Sequence, residues 1–284
     1  MQPYTTLIDP SALEAMLGHP DLVCVDCRFS LAEPQQGRRQ YDESHIPGAV
    51  YAHLDEDLSG PGDAVAGRHP LPDPDRAGRT FGGWGIGAQT QVVAYDDMSG
   101  AIAARLWWLL QWLGHERVAV LNGGWQRWQA ERRPESKDKP RPSPRTFHPQ
   151  ARPDWLIDVD ELKGLHGRRD AIVVDSRTPE RYRGEREPID PVAGHIPGAV
   201  NAPHTAVVDA HGNWLRPDRL RGHFEAILRG RPARQAVCYC GSGVTACRNI
   251  LAMQYAGLGH ARLYAPSWSG WIADPSNPVG IGDQ

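Results

Sequence analysis

The stretch Val237-Cys238-Tyr239-Cys240-Gly241-Ser242-Gly243-Val244-Thr245-Ala246-Cys247-Arg248 decides how the whole chain is read. An apolar run that reads as a buried strand ends at Cys240, and glycines follow on both sides of Ser242. From Val244 the spacing of Cys247, Ile250, Leu251 and Tyr255 predicts a helix. Glycine reaches backbone conformations closed to other residues, so successive N–H groups can turn inward and form a concave nest. The first N–H groups of the helix point the same way and carry the positive end of its dipole. Such a place stabilises a sulfur anion at Cys240 without metal or lysine, whereas a free thiol, with a pKa of about 8.5, is mostly protonated at neutral pH.

Outward from this stretch the chain repeats itself. His45-Ile-Pro-Gly-Ala-Val50 recurs letter for letter as His195-Ile-Pro-Gly-Ala-Val200, and Val23-Cys-Val-Asp-Cys-Arg28 matches Ile172-Val-Val-Asp-Ser-Arg177. Leu7-Ile-Asp9 matches Leu156-Ile-Asp158. Further on, Ser99-Gly100, Arg105, Trp125 and Trp128 match Ser242-Gly243, Arg248, Trp268 and Trp271 at one shared offset. Six prolines from Pro134 to Pro153, both included and set among charged residues, favour an extended connector. The division is therefore a first domain over 1–134, a proline-rich linker over 135–152 and a second domain over 153–284. Within the first copy, a helix near 10–18, strands at 22–26 and 91–95, a helix at 101–113 and a strand at 117–121 alternate. That order implies an α/β fold, two tandem domains each built on a mainly parallel sheet flanked by helices, with sites at the carboxyl ends of strands.

Cys240-Gly-Ser-Gly-Val-Thr-Ala resembles the active-site loop of tandem-domain rhodanese-like sulfurtransferases, and the Gly-Ser pair is similar to the 3-mercaptopyruvate branch rather than the thiosulfate branch. The resemblance implies a Cys240 nucleophile that takes up sulfur as a persulfide, with Gly241, Gly243, Val244 and Thr245 lining the cradle. It also implies that Ser242 works with a histidine and an aspartate of the first domain. The matching positions are His69 and Asp55, with His53 and Asp57 as alternatives. Arg181 matches the family's substrate-binding arginine. Where the branch has a second arginine in Glu-Pro-Arg, this chain reads Glu187-Pro188-Ile189, which leaves Arg186 as the candidate substitute. The implied acceptors are cyanide, a small thiol or a thioredoxin-like protein. Thiosulfate as donor, and a non-enzymatic persulfide carrier or redox sensor, are the other readings of the same loop.

The shared offset sets Asp97 opposite Cys240, and a carboxylate is a poor sulfur nucleophile, so the second copy is expected to be the catalytic one. A phosphate-binding Cys-x5-Arg loop is disfavoured because the sixth residue after Cys240 is Ala246 and the arginine falls later, at Arg248. Among 284 residues the formal net charge is -3, which gives no electrostatic case for nucleic acid or an anionic membrane. The most apolar segment, 101–113, contains Arg105 and is too short to span a bilayer. Five cysteines make no disulfide framework, and the start of the chain shows no signal-peptide pattern, so a cytoplasmic setting is expected. The histidines show no ligand spacing, so no metal is expected, and no cofactor is expected either. Cys24, Cys27, Cys238 and Cys247 read as core thiols.

Overall fold

The computed structural model describes residues 3–168 and 170–283. It divides into two compact units: one of Met1–Gly60, Pro72–Arg152 and Val208–Trp214, the other of Pro61–Leu71, Pro153–Val207 and Leu215–Gln284.

In unit 1 the elements are β1 (Leu7–Ile8), α1 (Pro10–Glu14), β2 (Leu22–Asp26), α2 (Gln36–Glu43), β3 (Val50–Tyr51), α3 (Pro74–Gly83), β4 (Gln91–Tyr95), α4 (Ala103–Trp112), β5 (Val118–Leu121) and α5 (Gly124–Ala130). The strands form one sheet in the order β1-β5-β4-β2-β3, with every pairing parallel. β4 is buried at every position, so it reads as a continuous apolar run rather than an alternating one. Tyr95, Trp125 and Trp128 close the core against Ile8, Val93 and Leu121.

Unit 2 holds α6 (Val159–Gly164), β6 (Ile172–Asp175), α7 (Pro179–Tyr182), β7 (Val200–Asn201), α8 (Pro217–Leu228), β8 (Ala236–Tyr239), α9 (Ala246–Tyr255), β9 (Arg262–Leu263) and α10 (Ser267–Trp271). Its sheet runs β7-β6-β8-β9, again parallel throughout. Tyr239, Tyr264, Trp268 and Trp271 fill the core in the manner of unit 1. The α/β reading with two mainly parallel sheets is borne out.

The repeated hexapeptide has a physical reason. His45 stacks on Tyr41 with ring centroids 4.1 Å apart, and His195 stacks on Tyr182 at 3.9 Å. Each imidazole Nδ1 donates to the carbonyl of that tyrosine, at 2.7 and 2.8 Å. Each isoleucine N–H donates to the hydroxyl of the core tyrosine on the central strand, Ile46 to Tyr95 at 3.2 Å and Ile196 to Tyr239 at 3.1 Å. Gly48 and Gly198 turn the chain at φ +78° and +80° before β3 and β7. Beside this turn, Arg28 pairs with Asp26 at 2.5 Å and Arg177 with Asp175 at 2.6 Å, all four side chains buried. The two guanidinium groups lie over Trp125 and Trp268, 4.7 and 4.6 Å from the ring centroids.

The proline-rich segment lies along unit 1 rather than apart from it. Ser136 pairs with His45, Arg145 N–H donates to Gly82 O at 2.9 Å, and Gln150 N–H donates to Leu113 O at 2.9 Å. Phe147 packs edge-on against Phe81 at 5.5 Å. Helix α1 is shorter than the 10–18 of the sequence reading, and α4 begins at Ala103 because the preceding residues are occupied by the loop described next.

Candidate active site

Cys240 follows β8 and is 2% exposed. Its carbonyl accepts from Trp268 N–H at 3.0 Å and its N–H donates to Ser267 Oγ at 3.2 Å; Gly241 O accepts from Ser269 N–H at 2.9 Å. The loop is thus hung on the start of α10 and runs into α9. Gly243 sits at φ +77°, and a methyl group there would lie 2.4 Å from Ala265 O, so only glycine fits this turn.

The equivalent loop of unit 1 shows what this backbone does. β2 pairs Asp26 with Tyr95 just as β6 pairs Asp175 with Tyr239, and Asp96 O accepts from Trp125 N–H at 2.8 Å as Cys240 O does from Trp268. The residue opposite Cys240 is therefore Asp96, not Asp97 as the shared offset indicates, because the first loop is one residue longer. This loop, too, forms a nest of backbone N–H groups. Asp96 Oδ1 accepts from Met98 N–H at 2.9 Å and Gly100 N–H at 2.7 Å, and Oδ2 from Ile102 and Ala103 N–H at 2.7 and 2.8 Å. A fully buried carboxylate fills the cradle. This loop type binds an anion, and unit 1 supplies its own.

Segment Pro61–Leu71 belongs to unit 2 and carries two side chains to the Cys240 loop. It approaches through glycines: a methyl on Gly67, at φ +83°, would sit 2.4 Å from Pro266 O, and one on Gly270 would sit 2.7 Å from Val65 O. Arg68 N–H donates to Ser269 Oγ at 3.0 Å. His69 Nδ1 then lies 2.7 Å from Ser242 Oγ, both side chains buried. Of the residues named from the sequence, His69 meets Ser242. Asp55 lies in unit 1, exposed on the turn after β3, with its N–H donating to His53 Nδ1 at 3.2 Å. The alternatives His53 and Asp57 are also in unit 1, where Asp57 Oδ2 accepts from His53 N–H at 2.8 Å and His53 Nε2 donates to Pro34 O at 3.1 Å.

On α7, Arg181 is drawn toward the loop by carboxylates. Its Nε donates to both oxygens of Glu187, at 3.0 and 2.9 Å, and its Nη2 reaches Asp190 Oδ2 at 2.9 Å. Burial opposes charge on Glu187, yet Arg181 and the N–H groups of Asp190 and Ile189 hold its carboxyl below the usual range. The turn 187–190 winds about this carboxylate, which sends Ile189 outward, 44% exposed, and Asp190 inward. Arg186 is exposed, its N–H donating to Glu180 O at 3.2 Å. The arginine that does join Arg181 is Arg68, whose Nη1 donates to Asp190 Oδ1 at 2.7 Å. Reading the sequence singled out its neighbour His69 and passed over Arg68. The position of an arginine one residue before the matched histidine was the available signal.

Beneath the loop, Arg248 of α9 is 2% exposed and Nη1 donates to His204 Nδ1 at 3.3 Å. Burial first, and then the charges of Arg248 and Arg181, push His204 down to about 3, so it stays a neutral acceptor at physiological pH. Val244 is buried and Thr245 half-buried at the entry to α9. Cys238 and Cys247 flank Cys240 inside the fold, and burial raises the Cys238 thiol well above its ordinary value. Among the described residues no group of acidic, histidine or cysteine side chains could hold a metal ion.

A model of the Rhodanese-like domain matches residues 9–131 and again 158–274. The chain belongs to the rhodanese-like family. A Pseudomonas aeruginosa protein named "Probable 3-mercaptopyruvate sulfurtransferase" is 47% identical over 279 residues, covering 98% of each chain. The thiosulfate sulfurtransferase of Rattus norvegicus is 32% identical, with 93% of this chain and 90% of that one aligned. Among solved structures, the 3-mercaptopyruvate sulfurtransferase from Leishmania major superposes with a TM-score of 0.81 at 32% identity, over 93% of this chain and 73% of that one. The matched rhodanese-like domains correspond to the two copies read from the sequence, and among the described residues no helix is long and apolar enough to cross a membrane.

Proposed function

We propose that this rhodanese-like protein is a sulfurtransferase that moves sulfur from 3-mercaptopyruvate to a thiophilic acceptor through a persulfide on Cys240. The observation that carries the reading is the contrast between paired loops: the cradle that unit 1 closes with Asp96 presents a thiol in unit 2. In the first half-reaction the Cys240 thiolate attacks the donor sulfur and the donor's C–S bond breaks. The bonding electrons leave as the enolate of pyruvate, which takes up a proton, and Cys240 keeps the sulfur as a persulfide. In the second, an acceptor such as cyanide, a small thiol or a thioredoxin-like protein attacks the outer sulfur and restores the thiolate. Splitting transfer in this way gives ping-pong kinetics. The loop N–H groups at Gly241, Gly243, Val244 and Thr245 stabilise the persulfide anion, and Arg181 pairs with the donor carboxylate.

The 2.7 Å contact between buried Ser242 and His69 supports a role for the pair in delivering the proton that the enolate needs. Thiosulfate requires no such proton, because sulfite leaves as a stable anion. Ser242→Ala and His69→Gln are therefore expected to lower turnover of 3-mercaptopyruvate by about 10²-fold, within the usual range for a positioned acid–base group, and that of thiosulfate far less. Equal losses on both donors would remove the proton-delivery role. The overall reading is tested by steady-state transfer to cyanide with 3-mercaptopyruvate and thiosulfate compared side by side. A preference for 3-mercaptopyruvate supports it; a preference for thiosulfate would reassign the donor.

A further inference from the structure

We propose that Arg68 is the second anion-binding arginine of this site, taking with Arg181 the carboxylate of the sulfur donor. The proposal rests on the sulfurtransferase reading for its substrate, and on geometry for its residue. A methyl group built on Gly241, the residue next to Cys240, would lie 3.2 Å from Arg68 Nη2 and 3.4 and 3.6 Å from Arg181 Nη2 and Nη1. Both guanidinium groups therefore cover the same face of the loop, one residue from the reacting sulfur. A single buried carboxylate, Asp190, holds them there with one oxygen each.

That arrangement leaves donors unspent. Arg68 uses Nη1 on Asp190, while its Nε is buried without a hydrogen-bond partner among the described residues. Arg181 uses Nε and Nη2 on Glu187 and Asp190. A buried guanidinium N–H without an acceptor is costly, and the Nη2 of the same guanidinium is the atom that stands over Gly241, so an anion arriving at the loop meets a group with donors to spare. The planar fork of arginine matches a carboxylate. Arg68 itself is 26% exposed and Asp190 2%, so the pair is anchored from the inside and open toward the outside. Ile189, at the place of the missing arginine, points away from the fork. The cation is supplied instead from the segment that also carries His69, so one short stretch, Gly67-Arg68-His69, would set both the donor's carboxylate and its proton.

The test pairs a charged reagent with a neutral one that carries the same bromomethyl ketone. 3-Bromopyruvate and bromoacetone both alkylate a thiolate and differ only in a carboxylate against a methyl. In the unmodified protein Cys240 is expected to react faster with 3-bromopyruvate. In Arg68→Gln that preference should fall about tenfold, the scale of one charge-assisted hydrogen bond, with Arg68→Lys in between. The KM for 3-mercaptopyruvate should rise by a similar factor with kcat changed less. If Arg68→Gln slows both reagents alike, Arg68 only supports the loop and the proposal is overturned; an unchanged preference overturns it too. A lost preference without any Cys240-dependent transfer from 3-mercaptopyruvate would keep the arginine fork and remove the sulfurtransferase reading, so the two failures are separable.

Discussion

Replacing Cys240 by serine is expected to lower sulfur transfer to cyanide by on the order of 10³-fold or more, the scale seen when a covalent nucleophile is removed. The serine hydroxyl stays protonated in this loop and forms no stable bond to a transferable sulfur. No neighbour takes over, since Cys238 and Cys247 are fully buried and burial holds the Cys238 thiol in its neutral form. The exchange of sulfur for oxygen changes little in packing, and the backbone bonds to Ser267 and Trp268 do not involve the side chain. Unchanged thermal unfolding together with lost transfer would assign the loss to chemistry. Transfer persisting within about tenfold of the parent would place the sulfur-carrying group elsewhere.

Asp96→Ala is expected to act in the opposite sense, on stability rather than on chemistry. Four backbone N–H groups, of Met98, Gly100, Ile102 and Ala103, converge on its carboxylate inside unit 1. Removing the acceptor leaves the N–H groups of Gly100, Ile102 and Ala103 buried and unpaired, while that of the half-exposed Met98 can turn to water, at a cost of roughly 3 kcal/mol when each buried donor is counted at the low end of its desolvation penalty. Asp96→Asn, which keeps one oxygen but turns an amine toward the remaining donors, should fall between. Differential scanning calorimetry reads the effect as a lowered unfolding temperature. An Asp96→Ala protein as stable as the parent would mean that water or a bound anion replaces the carboxylate. A bound anion would be visible as stabilisation by added sulfate beyond that of the parent.

Much of the fold is legible in the sequence because both copies are written in residues with few physical alternatives. The His-Ile-Pro-Gly-Ala-Val turn needs a ring to stack on tyrosine and a glycine at positive φ, and each central strand is an apolar run with no room for ambiguity. The strands at 22–26 and 91–95 fall where they are read. What escapes is of two kinds. Helices such as α2 and α3 carry glycines and charges, Gln36-Gly-Arg-Arg and Pro74-Asp-Arg-Ala-Gly, and take their shape from tertiary contacts rather than from periodicity. The other kind is non-local. A single extra residue in the Asp96 loop shifts the equivalence with Cys240, and an offset taken from the helix that follows the loop cannot detect it, because the strand that precedes the loop is matched one residue differently.

The site was legible in its local part and opaque in its long-range part. Cys240, Gly241, Ser242 and Gly243 are consecutive, and their chemistry follows from a strand giving way to a helix. Arg68 and His69 lie far away in sequence and reach the loop only because Gly67 and Gly270 let two backbones pass at close range. Nothing in the composition of Pro61-Gly-Asp-Ala-Val-Ala-Gly announces that approach. The turn at Glu187 is similar: its carboxylate, by capturing Arg181 and the following N–H groups, decides that Asp190 rather than Ile189 faces inward.

The most direct test is the mass of the Cys240 peptide after the protein has met stoichiometric 3-mercaptopyruvate with no acceptor present. The predicted result is a gain of one sulfur atom on Cys240, matched by one pyruvate released per chain, and its loss as thiocyanate when cyanide is added. Sulfur found on another cysteine, or pyruvate and thiocyanate formed only when donor and cyanide are present together, would contradict a Cys240 persulfide intermediate.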